Sequence, residues 1–179
     1  METLDALHAR KSWRAYSEKP LGDELLKTVV AFANKAPNAG EFTVTVVRNA
    51  ELLAEINAAT LVAMKNSGND FLISRAALAG YQPLYGAPAL ALFSAEPTGY
   101  YQISAATAAS TVAIAATDQG LRSCFIITPT LAIDGKNALS RKLALPEGHV
   151  VVCCLLLGYG EAENRFSAPR PEVDNIRFL

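Results

Sequence analysis

Apolar residues recur along this chain in two rhythms, one of helical spacing and one of unbroken runs. Residues 2 to 11 predict a short helix with Leu4 and Leu7 on one side, and "LGDELLKTVVAFANKAP" predicts a second helix stopped by Pro37. "EFTVTVV" has the β-branched content of a strand, and "NAELLAEINAATLVAMKN" returns to helical spacing from Asn49, a candidate N-cap. Residues 66 to 83 are a polar turn around "NSGND", a short helical stretch and Pro83. "APALALFSA" is a continuous apolar run, as expected of a strand buried on both faces. From Ser104 to Thr117 the chain is small or apolar nearly all the way round, which predicts a central helix packed on every side. Gly120 is a candidate cap before the strand "GLRSCFII"; "GKNALSRKLAL" predicts a short helix, and "HVVVCCLLLGYG" a second buried strand. Alternating helices and buried strands imply an α/β or α+β sandwich, a sheet covered by helices. With no internal repeat or linker-like stretch, residues 1–179 are expected to form one domain.

Composition narrows the function. The 179 residues are 51% hydrophobic and 18% charged, enough apolar matter for a real core. A net charge of −1 supplies no global field to gather nucleic acid or acidic lipid, so any anion site must be local. "METLDALHAR" lacks the apolar stretch of a secretory signal, and no run reaches the roughly 18 apolar residues of a membrane span. A cytoplasmic protein with no membrane or nucleic-acid partner is expected. Cys124 stands alone, while neighbouring Cys153 and Cys154 would point to opposite faces of a strand, a pattern suited to reduced, buried thiols. His8 and His149 fall in no ligand pair, so no metal site is expected, and neither GxGxxG, GxxxxGK[ST] nor GxSxG occurs.

The sharpest local signal is "HARKSWRAYSEKP", which places Arg10, Lys11, Ser12 and Arg14 within five residues. Two guanidinium groups, an ammonium and a hydroxyl near a helix end can surround a phosphate, although a solvated helix end has the same composition. "KAPNAGEF" combines Pro37, Asn38 and Gly40, which suit either a backbone approaching a ligand or an ordinary helix-to-strand turn.

Read in order, these pieces resemble the FMN-dependent nitroreductase family. The family pattern Arg-Arg/His-Ser-x-Arg/Lys-x-Phe is matched by Arg10, Lys11, Ser12, Arg14 and Tyr16, and its Gly-Leu-Gly-Ser-Cys by "GLRSC", with Arg122 in place of a glycine. "APNAG", "YGAPALALF", the small-residue helix, "LALPEGHVVVCCLLLGYG" and the terminal "APRPE" follow in family order.

The resemblance implies an α+β fold with a central, mainly antiparallel sheet covered by helices. It also implies a homodimer with FMN at two sites across the subunit interface, and ping-pong electron transfer from NADH or NADPH to a small nitroaromatic or quinone acceptor. By position, Arg10, Lys11 and Ser12 would face the FMN phosphate and ribityl chain, and Arg14 the pyrimidine edge, where a fixed guanidinium favours negative charge on the ring. Arg170 resembles the family's C-terminal phosphate-gripping arginine, but the lysine often found two residues before it is Ala168. Asn38 resembles a flavin contact, and the backbone at Ile127 and Thr128 would lie near flavin N5. The family's Gln-Pro-Trp after the Ala-Pro turn is missing, and Glu41 enters instead. No catalytic side chain is implied, because hydride passes between stacked rings that the protein positions. Glu41 and Ala168 motivate a second reading, an FMN carrier or sensor without reductase turnover; a third is an interaction domain that has lost the cofactor.

Overall fold

A computed structural model describes residues 2–164, 166, 173 and 175–179. In chain order its elements are α1 (Thr3–Ala9), α2 (Asp23–Ala31) running into a 3-10 turn (Phe32–Lys35), β1 (Thr43–Val47), α3 (Ala50–Lys65) and α4 (Asp70–Ala76). There follow β2 (Ala89–Ala95), α5 (Tyr101–Asp118), β3 (Arg122–Ile126), a 3-10 turn (Thr128–Leu131), α6 (Ala138–Lys142) and β4 (Val150–Gly158). The strands form one sheet in the order β1-β2-β4-β3 with every neighbouring pair antiparallel. The fold is therefore α+β, and the α/β alternative falls away.

The unbroken apolar runs follow from burial on both faces of the sheet. Ala89, Ala91 and Phe93 of β2 and Cys153, Leu155 and Leu157 of β4 pack with α2 and α5 on one face. Leu90 and Leu92 with Cys154 and Leu156 pack with Ile56 of α3, Leu139 of α6 and Tyr16 on the other. Alternate residues serve alternate cores, so no position in the middle of either strand is free to be polar. The two adjacent cysteines do separate: the Cys153 thiol points at the Ala105 carbonyl of α5, while Cys154 joins the opposite core.

Local signals set the element ends as the sequence predicts. Asn49 caps α3, its side chain accepting from the Leu52 N–H at 2.8 Å. Gly120 takes φ +76, and the Leu121 N–H turns back to the Ala116 carbonyl, delivering the chain from α5 into β3. One expectation is corrected. α5 buries Ala105, Ala108, Ala109, Val112 and Ala116 against the sheet, but Ser110 faces outward and Ile103 is 59% exposed. Within one chain the helix is packed on one side, because small residues permit close approach without demanding it all round. Among the described residues no helix is long and apolar enough to cross a membrane.

Candidate functional site

The basic segment is an extended strap laid across the β3/β4 end of the sheet. Ser12 bridges Ser123 in parallel fashion, with the Trp13 N–H donating to the Ser123 carbonyl at 2.9 Å. Two residues on, the strap changes partner: Tyr16 bridges Gly160, and the Ser17 N–H donates to the Tyr159 carbonyl. Backbone pairing to β3 and to the segment just after β4 fixes where Arg10, Lys11, Ser12 and Arg14 project.

Packing beneath the strap is tight. Trp13 is buried, its indole N–H has no hydrogen-bond partner among the described residues, and a side chain at Gly160 would meet Trp13 Nε1 at 2.5 Å. Lys11 Nζ lies 4.8 Å from the Trp13 ring centre and the Arg122 guanidinium 5.0 Å from it. Arg122, the departure from the family glycine, thus serves as a cation against the indole.

Arg14, Ser12 and Arg10 all act electrostatically on Cys124 of β3. Burial pushes the Cys124 thiol up, while the charges of Arg14 and Arg10 and a hydrogen bond with Ser12 act in the opposite direction. Burial likewise raises Tyr16, with Cys124 adding to the rise and Arg14 opposing it. Burial pushes Cys153 up to about 12 and holds Cys154 well above its usual 9.0. All three thiols are buried and stay protonated at ordinary pH, so iodoacetamide at pH near neutrality is expected to label none of them in the folded protein and all after denaturation. Mass spectrometry of the labelled protein reads this directly. Above the ordinary value of 9.0 the unfolded chain gives up thiol protons that the folded one keeps, so stability falls as pH rises.

Arg14 lines a pocket of about 230 Å³ with Tyr16, Gln82, Tyr85, Glu161 and Phe166. Tyr85 is held at φ +51, a strained setting for a side-chain-bearing residue. The other expected contacts lie elsewhere in the chain. Ile127 and Thr128 follow the far end of β3, with about 13 Å of strand between Ser123 and Ile127. Ile127 is 60% exposed, and its N–H donates to no backbone carbonyl among the described residues. Asn38 is exposed beside Asn34, Glu41 and Phe42, on a loop pinned to α5 by the Ala39 N–H donating to Ser104 Oγ and Thr107 Oγ1 donating to the Pro37 carbonyl. Neither Asn38 nor Glu41 shares the Arg14 pocket within one chain. Arg170 and Ala168 lie outside the described residues.

Sequence reading missed two residues that hold the strap, Asn164 and Phe166. They sit about 150 positions from the residues they touch, in a stretch without periodicity, so no local signal marks them.

The fold is shared with solved nitroreductase structures. A nitroreductase with bound FMN from Desulfitobacterium hafniense DCB-2 superposes with a TM-score of 0.86 at 28% identity, over 100% of this chain and 99% of that one. A nitroreductase with bound FMN from Bacteroides fragilis NCTC 9343 gives 0.84 at 26%, with the same coverage of each. An FMN and NADPH-dependent nitroreductase from sphigopyxis sp. strain HMH, at 20% identity and TM-score 0.76 over 100% and 99%, shares the fold. No curated protein matched the chain. The Nitroreductase family profile matches residues 7–159, from α1 through the residue after β4, and the chain belongs to that family.

Proposed function

We propose that the chain is an FMN-dependent oxidoreductase that passes electrons from NADH or NADPH to a small acceptor of nitroaromatic or quinone type. In this reading the whole chain acts as one domain in a cytoplasmic homodimer. The observation that carries it is the strap: Arg10, Lys11 and Arg14 stand together on a fixed backbone, and among the described residues none of them pairs with a carboxylate. Cations with no carboxylate partner among the described residues, beside the Ser12 hydroxyl, are a donor set that a phosphate monoester satisfies.

Arg10, Lys11 and Ser12 would hold the phosphate and ribityl chain, and Arg14 the pyrimidine edge of the ring, with Arg170 joining the phosphate grip. When bound, FMN supplies a ring that takes up hydride from the nicotinamide and hands electrons to the acceptor. The chain's own part is positioning: the strap would orient the cofactor, and exposed Ile127 and half-buried Thr128 would offer backbone donors to the ring's central edge. Asn38 and the exposed apolar residues Ile103, Phe125, Ile127 and Leu131 sit away from the Arg14 pocket. A site completed by a second copy accounts for both: the partner's loop would bring its Asn38 to the ring, and dimer contact would cover the apolar side chains.

The test is NADH or NADPH oxidation by FMN-loaded protein with a quinone or nitroaromatic acceptor. Steady turnover is expected. FMN uptake without turnover would favour the carrier reading that Glu41 motivates.

A further inference from the structure

We propose that Asn164 and Phe166 are positioning residues that hold Arg14 in its working orientation. This inference rests on the flavin reading above and adds residues that the basic motif does not contain.

An extended backbone points the N–H and C=O groups of alternate residues to opposite sides. Trp13 turns its N–H toward β3, so the Ser12 carbonyl and the Arg14 N–H face away from the sheet, where no further strand runs. Asn164 fills that edge. Its Oδ1 accepts from the Arg14 N–H at 2.8 Å and its Nδ2 donates to the Ser12 carbonyl at 3.0 Å. A side-chain amide offers one acceptor and one donor at the separation a neighbouring strand would use, and among the common side chains only Asn and Gln carry that pair. The strap is therefore clamped from both sides between Ser12 and Arg14.

Phe166 fixes the other end of the same arginine. Its carbonyl accepts from Arg14 Nη1 at 3.3 Å. The Phe166 ring is locked edge-on to Tyr81 at 5.7 Å, against Tyr85 at 5.9 Å, and under the Arg75 guanidinium at 5.6 Å. Tyr81, Tyr85 and Arg75 come from the α4-to-β2 segment, so that segment reaches Arg14 through Phe166. With its backbone and one guanidinium nitrogen committed, Arg14 has given up rotamer freedom before any ligand arrives, and among the described residues its other guanidinium donors have no hydrogen-bond partner. A guanidinium fixed in this way favours the cofactor ring more strongly when the ring holds the transferred electrons than when it does not.

The test measures the midpoint potential and affinity of bound FMN in Asn164→Ala, Asn164→Gln, Phe166→Ala and Phe166→Tyr, with FMN saturating. Asn164→Ala is expected to weaken FMN binding about tenfold. It should also shift the midpoint negatively by about 30 mV, the two-electron equivalent of a tenfold loss of preference for the reduced form. Asn164→Gln keeps the amide and its neutral charge on a side chain one carbon longer, so it should shift the potential in the same direction by less, and it remains informative if the alanine variant folds poorly. Phe166→Ala should lower the potential, and Phe166→Tyr, which keeps the stacked ring, should restore it. In an Arg14→Ala background Asn164→Ala should leave the potential unmoved. An unchanged potential in both Asn164 variants, or an equal shift with and without Arg14, would overturn the proposal. Wild-type protein that takes up no FMN would overturn the flavin reading itself, and is seen before any variant is made.

Discussion

Arg14→Ala is expected to weaken FMN binding about 100-fold while barely changing the stability of the apoprotein. Among the described residues the guanidinium makes one hydrogen bond, at 3.3 Å to the Phe166 carbonyl, so its loss costs the fold little. Toward a polar ring edge it would make charge-assisted hydrogen bonds, each worth roughly 1.5–3 kcal/mol. Losing about 2.7 kcal/mol corresponds to about 100-fold in Kd. Arg14→Lys keeps the charge and loses the planar fork, and should fall between. The single tryptophan, Trp13, is the residue before Arg14, so titrating FMN against tryptophan fluorescence reads both variants. Equal affinity in wild type and Arg14→Ala would remove Arg14 from the site.

The largest stability effect is expected beneath the strap, at Leu156. It is fully buried in the second half of β4, opposite Leu90 of β2 and Cys124 of β3, in the core shared with Tyr16. The Tyr16 hydroxyl is directed at the Leu156 carbonyl. Leu156→Ala leaves a cavity between strands whose backbones cannot close on it, at a cost of about 2–5 kcal/mol. For a chain of this size that lowers Tm by about 10 °C. Calorimetry on the apoprotein is the measurement, since bound cofactor would mask part of the loss. A shift of only a degree or two would mean that this core is more plastic than its packing implies.

Much of this fold was legible because each strand and helix announces itself locally. The β2 and β4 runs could be read as doubly buried because only a strand covered on both faces leaves no place for polar residues. Asn49 and Gly120 act within four residues of themselves, which is why their roles were readable. The site divides along the same line. Arg10, Lys11, Ser12 and Arg14 fall within five residues, and in the structure Arg10, Ser12 and Arg14 act on Cys124 while Lys11 lies against Trp13. Asn164 and Phe166 reach the strap only through the closing of β4 against β3, a contact no local pattern encodes. The outer face of α5 was misjudged for a related reason: small residues show that something can pack closely, and leave open whether it belongs to the same chain.

The central claim is that the strap holds FMN. Its most direct test is the visible absorbance of purified protein, before and after incubation with FMN and removal of the excess. Flavin absorbance retained at one equivalent per chain, together with quenching of Trp13 fluorescence, is the predicted result. Protein that stays colourless after incubation, with Trp13 emission unchanged, would contradict it.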